Sequence, residues 1–277
     1  MLRLLANLQL VNGFFVVTAP ATGALLLRIT DWRGIFAILA IYGVLATILV
    51  AIAVARRESL PRKARRPAQL HALLADYRTL VSDRVYVAAL VANSLMWAGM
   101  MGYMASSAFL LENLYQLSPV AYAAVFGGHG GVMILAAQVS SRLAQRAGLR
   151  RVISIGAVTA ALAASALLIG VLIAPSPQLA PLLVPLFVFT TGFGIFSPSI
   201  QSLAMQDHGR RAGTAASLLG ASTMVAGAAA ASLVASFGLT SAVPVGTFLA
   251  LCAAAAGLVT WLGVVRTRSQ SVREVRA

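Results

Sequence analysis

Long stretches without a charged side chain constrain this chain more than any other feature of its sequence. Six segments contain no Asp, Glu, Lys or Arg, and each is as long as the ~20 apolar residues that a helix needs to cross a bilayer. They are residues 4–27, 34–55, 85–111, 113–141, 152–206 and 212–265. Hydrophobic residues make up 60% of the 277 residues and charged residues 10%. The sequence therefore predicts an all-α, multi-pass protein of the lipid bilayer.

Two of these segments are too long for a single span, and both contain helix-breaking residues. The first is interrupted by APSPQLAP at 174–181 and the second by FGLTSAVP at 237–244. Three prolines within seven residues cannot continue a helix. Splitting both segments predicts eight transmembrane helices, at about 4–27, 34–55, 85–107, 119–141, 152–173, 180–204, 212–236 and 242–264.

Basic residues are concentrated in alternate loops, which predicts the orientation of the chain. The loop 56–84 holds eight Arg or Lys residues against three acids, whereas the only charge in the loop 108–118 is Glu112. Arginines return at 142–151 and in the tail 266–277. Because short cytoplasmic loops keep positive charge, we expect both termini in the cytoplasm of a bacterial inner membrane.

Several classes of function are disfavoured by the same residues. The net charge of +14 lies in alternate loops, where topology and anionic lipid headgroups explain it, so no nucleic-acid partner is expected. His71, His129 and His208 are too far apart in sequence to indicate a metal site. No nucleophile or phosphate-binding motif occurs either, so the sequence predicts neither an enzyme nor a cofactor.

Several motifs at predicted helix ends carry a family resemblance. They are VVTAPATGALL at 16–26, DWRGIFAIL at 31–39, FLLENLYQLSPVAYAAVFG at 109–127, SRLAQRAGLRRV at 141–152 and RRAGTAASLLGASTMVAGA at 210–228. The basic segment 56–84 also separates two predicted helices from six. This organisation resembles the major facilitator superfamily, and the motifs resemble its drug:proton antiporters of the bicyclomycin and chloramphenicol resistance type.

The resemblance implies a domain organisation. Residues 1–55 would be helices five and six of a twelve-helix plan, and 56–84 the cytoplasmic linker between its halves. Residues 85–265 would be the complete second half and 266–277 a cytoplasmic tail. The chain would then lack the first four helices, which become an expected partner.

The implied function is export of a small drug-like compound, driven by proton entry through alternating access. Two alternatives remain open. One is a metabolite transporter of the same fold. The other is a non-transporting membrane protein, either truncated or paired with a separate first half.

Candidate substrate-binding residues lie on three predicted helices. Asn93, Trp97, Met101 and Met104 recur at helical spacing, and flexible methionines beside an aromatic ring and an amide suit varied apolar ligands. His129 is a titratable side chain within a span, and such residues indicate function by default. The alternative for His129 is a neutral histidine bonded to a neighbouring helix. The alternative for Asn93, Trp97, Met101 and Met104 is ordinary packing.

The segment at 180–204 adds Phe193 and Gln201 to the candidate binding residues. Its glycines and Pro198 are predicted to give flexibility for rocking between inward-open and outward-open states. Phe193 facing lipid is the alternative to a binding role.

Two further groups of residues are candidates for conformational roles. Pro20 and Gly23 match the resembled antiporter motif, while Ala19 and Ala24 stand where glycines are usual. Small residues around a proline would allow close helix contact, which in that family is held to block leak. The second group consists of Arg142, Arg146, Arg150 and Arg151. These arginines could pair with acids or helix C-termini at the cytoplasmic face, or they could serve only to orient the chain in the membrane.

Overall fold

The protein is helical throughout the part that its computed structural model describes. Described are residues 18, 22–23, 25–26, 28–56, 70–173, 178–237 and 241–265. The main helices are α1 (Trp32–Arg56), α2 (Leu70–Ser82), α3 (Arg84–Ala108), α4 (Pro119–Ala147), α5 (Leu149–Ile173), α6 (Leu179–Gln206), α7 (Ala212–Ser236) and α8 (Val243–Thr260). Helix α3 continues as a π-helical turn over Phe109–Leu114, and α8 as one over Trp261–Val265.

The predicted membrane helices correspond to this pattern. Seven helices of the described chain are long and apolar enough to cross a membrane, and they coincide with the last seven of the eight predicted spans. The first predicted span, 4–27, lies mostly outside the described residues. Those described near its end are helical, and the Thr22 hydroxyl donates to the Thr18 carbonyl at 2.8 Å. The all-helical membrane fold is therefore confirmed.

Helix α4 extends six residues beyond its predicted end at 141, to Ala147. The prediction stopped where Arg142 begins the charged segment, but backbone hydrogen bonds continue past the apolar stretch. The helix ends at Gly148, whose φ of 86° is a left-handed value that side chains disfavour. Helix α5 begins at the next residue, so α4 and α5 form a tight helical hairpin.

Helix α2 was not predicted, since the segment 56–84 was treated as a loop. Its 13 residues are too short for a span. One ion pair and one hydrogen bond attach α2 and the adjacent Asp83 to the residues just before α7. The Arg211 Nε lies 2.6 Å from Asp76 Oδ1, and the His208 Nε2 lies 3.0 Å from Asp83 Oδ2. Asp83 also caps α3, because its Oδ1 accepts from the backbone N–H of Val85 at 2.8 Å.

Helices α3 to α8 form one six-helix body. Helix α3 packs against α6, α7 and α8, and α6 packs against α3, α4 and α5. The order α4, α6, α3, α7 therefore makes one layer, with α5 and α8 behind α6 and α3. None of the described side chains of α1 is buried, so α1 stands apart from this core.

Glycines allow α6 to approach two neighbours at backbone distance. A Cβ on Gly192 would lie 2.6 Å from the Ala160 nitrogen of α5, and one on Gly194 would lie 2.7 Å from the Met133 carbonyl oxygen of α4. On α5, a Cβ on Gly156 would lie 2.7 Å from the Phe196 nitrogen. Dispersion and close packing replace a hydrophobic driving force between helices in lipid. Both α6 glycines therefore make packing contacts, and the flexibility predicted for them stays a prediction.

Candidate functional site

A cluster of polar side chains joins α3 to α6 around the hydroxyl of Ser197. The Ser197 Oγ donates to Asn93 Oδ1 at 3.1 Å. It accepts from the indole Nε1 of Trp97 at 3.2 Å and from the Gln201 Nε2 at 2.9 Å. The sequence predicted Asn93, Trp97 and Gln201 as separate candidates on two helices. Ser197, which the sequence did not single out, joins them.

Aromatic contacts extend this Ser197 cluster along α6. The Trp97 and Phe193 rings lie 5.1 Å apart, centroid to centroid, with planes at 82°, a favourable edge-to-face geometry. Asn93, Phe193 and Ser197 are buried, with exposed fractions of 1%, 2% and 4%. Trp97 and Gln201 are only partly buried. Phe193 thus faces the protein interior, and Trp97 and Gln201 are the members of the cluster that keep an exposed portion.

His129 lies in a second chain of hydrogen bonds, between α3, α4 and α6. The Thr190 Oγ1 donates to the Leu186 carbonyl at 2.9 Å, so it accepts from the His129 Nδ1–H at 2.8 Å. The Tyr103 hydroxyl, 3.2 Å away, then donates to the unprotonated Nε2. Phe187 stacks on the imidazole at 4.1 Å. A neutral imidazole satisfies all of these hydrogen bonds. Such bonding is what the alternative role requires, in which His129 is a neutral histidine bonded to a neighbouring helix.

The two predicted methionines occupy different surroundings. Met101 packs into α7, where a Cβ on Gly227 would lie 2.8 Å from its Cγ. Met104 is partly buried and packs against the main core. Both methionines are partly buried, and Met101 packs against α7 while Met104 packs against the main core.

A groove of ≈ 280 Å³ opens between α4 and the C-terminal part of α6. It is lined by Ala137, Ser140, Ser141, Ala144, Gln145, Leu149, Pro198, Ser199 and Ser202. No predicted binding residue lines it. Within it, Ser140 Oγ lies 2.7 Å from Ser199 Oγ and donates to the Ile195 carbonyl at 3.0 Å, so these hydroxyls support the helix contact near Pro198.

Of the four predicted cytoplasmic arginines, Arg150 makes an interhelical hydrogen bond. Its Nη1 donates to the Val264 carbonyl at the end of α8, where a cation is favoured by the helix dipole. Arg142, Arg146 and Arg151 are exposed, and the ion pairs formed among described residues do not include them.

The predicted antiporter motif is only partly described. Pro20 lies outside the described residues. No described atom lies within 4 Å of a Cβ built on Gly23, so the predicted close contact is not made by the described part of this chain.

Ser197, Tyr103 and Thr190 contact predicted site residues but were not predicted as site residues. Tyr103 falls off the helical stripe of Asn93 and Trp97, and serines are frequent in these helices. Only interhelical geometry distinguishes Ser197 from the other hydroxyls, so no pattern within the sequence could have selected it.

Comparison with known proteins identifies the family of the chain. A family model, the Major Facilitator Superfamily, matches residues 2–232. The chain is 27% identical over 263 residues to the uncharacterized MFS-type transporter YdgK of Bacillus subtilis (strain 168), covering 94% of this chain and 64% of that protein. It is 22% identical over 242 residues to a bicyclomycin resistance protein homolog of Haemophilus influenzae, covering 87% of this chain and 60% of that protein.

The chain spans about three fifths of the length of these relatives. The family model nevertheless covers most of its residues, and the described part of the chain holds seven helices long and apolar enough to cross a membrane. Members of this family are transporters and not enzymes, in agreement with the sequence prediction. The chain belongs to the Major Facilitator Superfamily.

Proposed function

We propose that this chain is part of a proton-coupled exporter of small amphipathic drug-like compounds. The observation that carries the proposal is the Ser197 cluster, in which buried polar groups lie beside the partly exposed Trp97 ring and Gln201 amide. Transporter sites of this kind lie near the bilayer midplane, between two repeats. Trp97 is near the middle of α3, and an aromatic surface with a few polar groups suits small-molecule binding.

The similarity to a protein named a bicyclomycin resistance protein homolog favours a drug over a metabolite. At 22% identity it supports the class of substrate and no particular compound.

The proton-coupling group is proposed to lie outside the six-helix body. The segments 85–111, 113–141, 152–206 and 212–265 contain no acid, and Asp31 and Glu112 lie at helix ends. His129, the titratable imidazole within α4, already has both ring nitrogens engaged. We therefore propose that coupling, and transport itself, require helices corresponding to the part of the relatives that this chain does not match.

Export assays on Trp97→Ala and Asn93→Ala test the binding role. In cells that express this chain together with the further helices that transport is proposed to require, each variant should change the relative export of chemically different drugs several-fold, because each removes one contact with the substrate or with Ser197. Membrane insertion should persist, since α3 stays apolar enough to span.

The matched control is Val91→Ala on the exposed side of α3, which should leave the export profile unchanged. An unaltered profile in both test variants would return Trp97 and Asn93 to ordinary packing. Absence of any proton-dependent export would instead contradict the exporter itself.

Thiol labelling tests the proposed orientation, with both termini in the cytoplasm. In a Cys252→Ala background, Arg146→Cys should react only from the cytoplasmic side and Gln178→Cys only from outside. Both positions are exposed at opposite ends of the bundle. Labelling with a membrane-impermeant maleimide in whole cells and in inverted vesicles measures this, and the reverse pattern would overturn the orientation.

A further inference from the structure

We propose that the hydrogen bonds of Ser197, which donates to Asn93 and accepts from the Gln201 amide nitrogen, leave Gln201 presenting a carbonyl oxygen, and that this oxygen selects flat, uncharged compounds carrying an N–H donor. This inference rests on the proposed binding role of the cluster and adds the chemical class of the ligand. It follows from how one hydroxyl is shared among three side chains.

Ser197 differs from the other hydroxyl residues of α6. Three of them return their proton to a carbonyl four residues back in the helix: Thr190 to Leu186, Thr191 to Phe187 and Ser202 to Pro198. Ser199 lies within hydrogen-bond distance of both the Ile195 carbonyl and Ser140 Oγ. Such local bonds are the usual choice for Ser and Thr within helices. Ser197 donates instead to Asn93 on α3.

The valence of the hydroxyl couples its three partners. A serine oxygen offers one proton and two acceptor positions, and the Trp97 indole N–H occupies one acceptor position because it can only donate. One proton and one acceptor position remain, so Asn93 and Gln201 must take opposite roles. In the structure, Asn93 accepts through Oδ1 and Gln201 donates through Nε2.

This assignment leaves the Gln201 Oε1 available. The oxygen has no hydrogen-bond partner within the described part of the chain, it is not an unsatisfied buried atom, and its residue is partly exposed. Because the Gln201 amide nitrogen is already bonded to Ser197, the carbonyl oxygen of the same amide can accept a hydrogen bond from a ligand. It gives no stabilisation to a ligand that presents only acceptors.

The remaining features of the cluster describe the rest of the ligand. Bonding to Ser197 and edge-to-face contact with Phe193 hold the Trp97 ring in one orientation, which offers a flat surface for stacking. The apolar segments of α3, α6 and α7 carry no charged side chain, so none of these segments supplies a counter-ion for a charged ligand. An uncharged planar ring with an N–H group meets both conditions.

Equilibrium dialysis of a matched pair of probes tests the inference. The purified 277-residue chain in nanodiscs is dialysed against 2-quinolinone, which has a ring N–H, and against N-methyl-2-quinolinone, which lacks it. Empty nanodiscs correct for partition into lipid. We expect 2-quinolinone to bind about tenfold more tightly, the effect of one hydrogen bond.

The variants separate a positioning role from a merely structural one. Ser197→Ala should reduce the preference for 2-quinolinone to about twofold or less, because the Gln201 amide is then free to rotate, and Ser197→Thr should restore it. Gln201→Leu removes the acceptor and should abolish the preference even if Ser197→Ala does not fold. The matched control, Ser202→Ala, alters a local bond on the same helix and should leave the preference unchanged.

The inference is overturned if neither probe binds, if the N-methyl probe binds as tightly or more tightly, or if Ser197→Ala and Gln201→Leu keep the full preference. These outcomes are distinct from failure of the proposed function. A selective N–H preference without proton-driven export would contradict the exporter and support the ligand class, whereas export with an unchanged preference in Ser197→Ala would contradict only the present inference.

Discussion

Replacing Gly192 with alanine is expected to lower the stability of the six-helix body by about 3 kcal/mol or more. The new Cβ would lie 2.6 Å from the Ala160 nitrogen and 2.9 Å from the Gly156 carbonyl oxygen, both backbone atoms of α5. Backbone cannot rotate away as a side chain can, so α5 and α6 must separate along their closest contact. Overpacking within well-packed cores typically costs about 1–3 kcal/mol, and a contact with two backbone atoms lies at the upper end or beyond.

The buried cysteine of α8 provides the measurement. Cys252 is 8% exposed and is the only cysteine in the sequence, so a thiol-reactive fluorophore reports unfolding during heating. Gly192→Ala should lower the apparent melting temperature by about 10 °C. Gly131→Ala is the matched control, because among the described residues no atom outside its own stretch of helix backbone lies within 4 Å of the new Cβ, and alanine favours a helix. Equal melting temperatures for the two variants would mean that α5 and α6 are not in backbone contact.

Removing the imidazole of His129 is expected to have the second-largest effect. His129→Leu leaves the Tyr103 hydroxyl without its partner in a site where Tyr103 is 1% exposed. An unsatisfied buried hydroxyl costs about 1–3 kcal/mol. Loss of the stacking on Phe187 at 4.1 Å adds to this cost. The Thr190 hydroxyl keeps its bond to the Leu186 carbonyl, so the penalty falls mainly on Tyr103.

A double-mutant cycle isolates that penalty. Tyr103→Phe alone should also be destabilising, by about 1–3 kcal/mol, because it leaves the Nε2 of the buried His129 without a donor. Adding Tyr103→Phe to His129→Leu should recover about 1 kcal/mol, because it removes the orphaned hydroxyl. The same thermal assay reports the values for all four proteins. Strict additivity would show that Tyr103 and His129 do not share a hydrogen bond.

The positions of the membrane helices were predictable from the sequence, since hydropathy and charge act locally. A span needs about 20 apolar residues whatever surrounds it, so the segments without charge located α3 to α8 within a few residues. Where the prediction failed, local composition was not decisive. Helix α2 is short and held by Asp76 and Arg211, a contact between residues 135 positions apart, and α4 runs past Arg142 because backbone bonding does not end at a charge.

The candidate site required the tertiary structure. Helical spacing placed Asn93 and Trp97 on one face of α3, and the sequence selected Gln201 and Phe193 on α6, but nothing in either segment indicates that Ser197 joins them. Likewise, the sequence left His129 between a proton-binding and a packing role, and its two hydrogen bonds came from Tyr103 and Thr190 on other helices. Hydrophobicity is a property that each segment carries by itself, whereas a hydrogen bond between helices depends on their relative rotation and depth, which only packing determines.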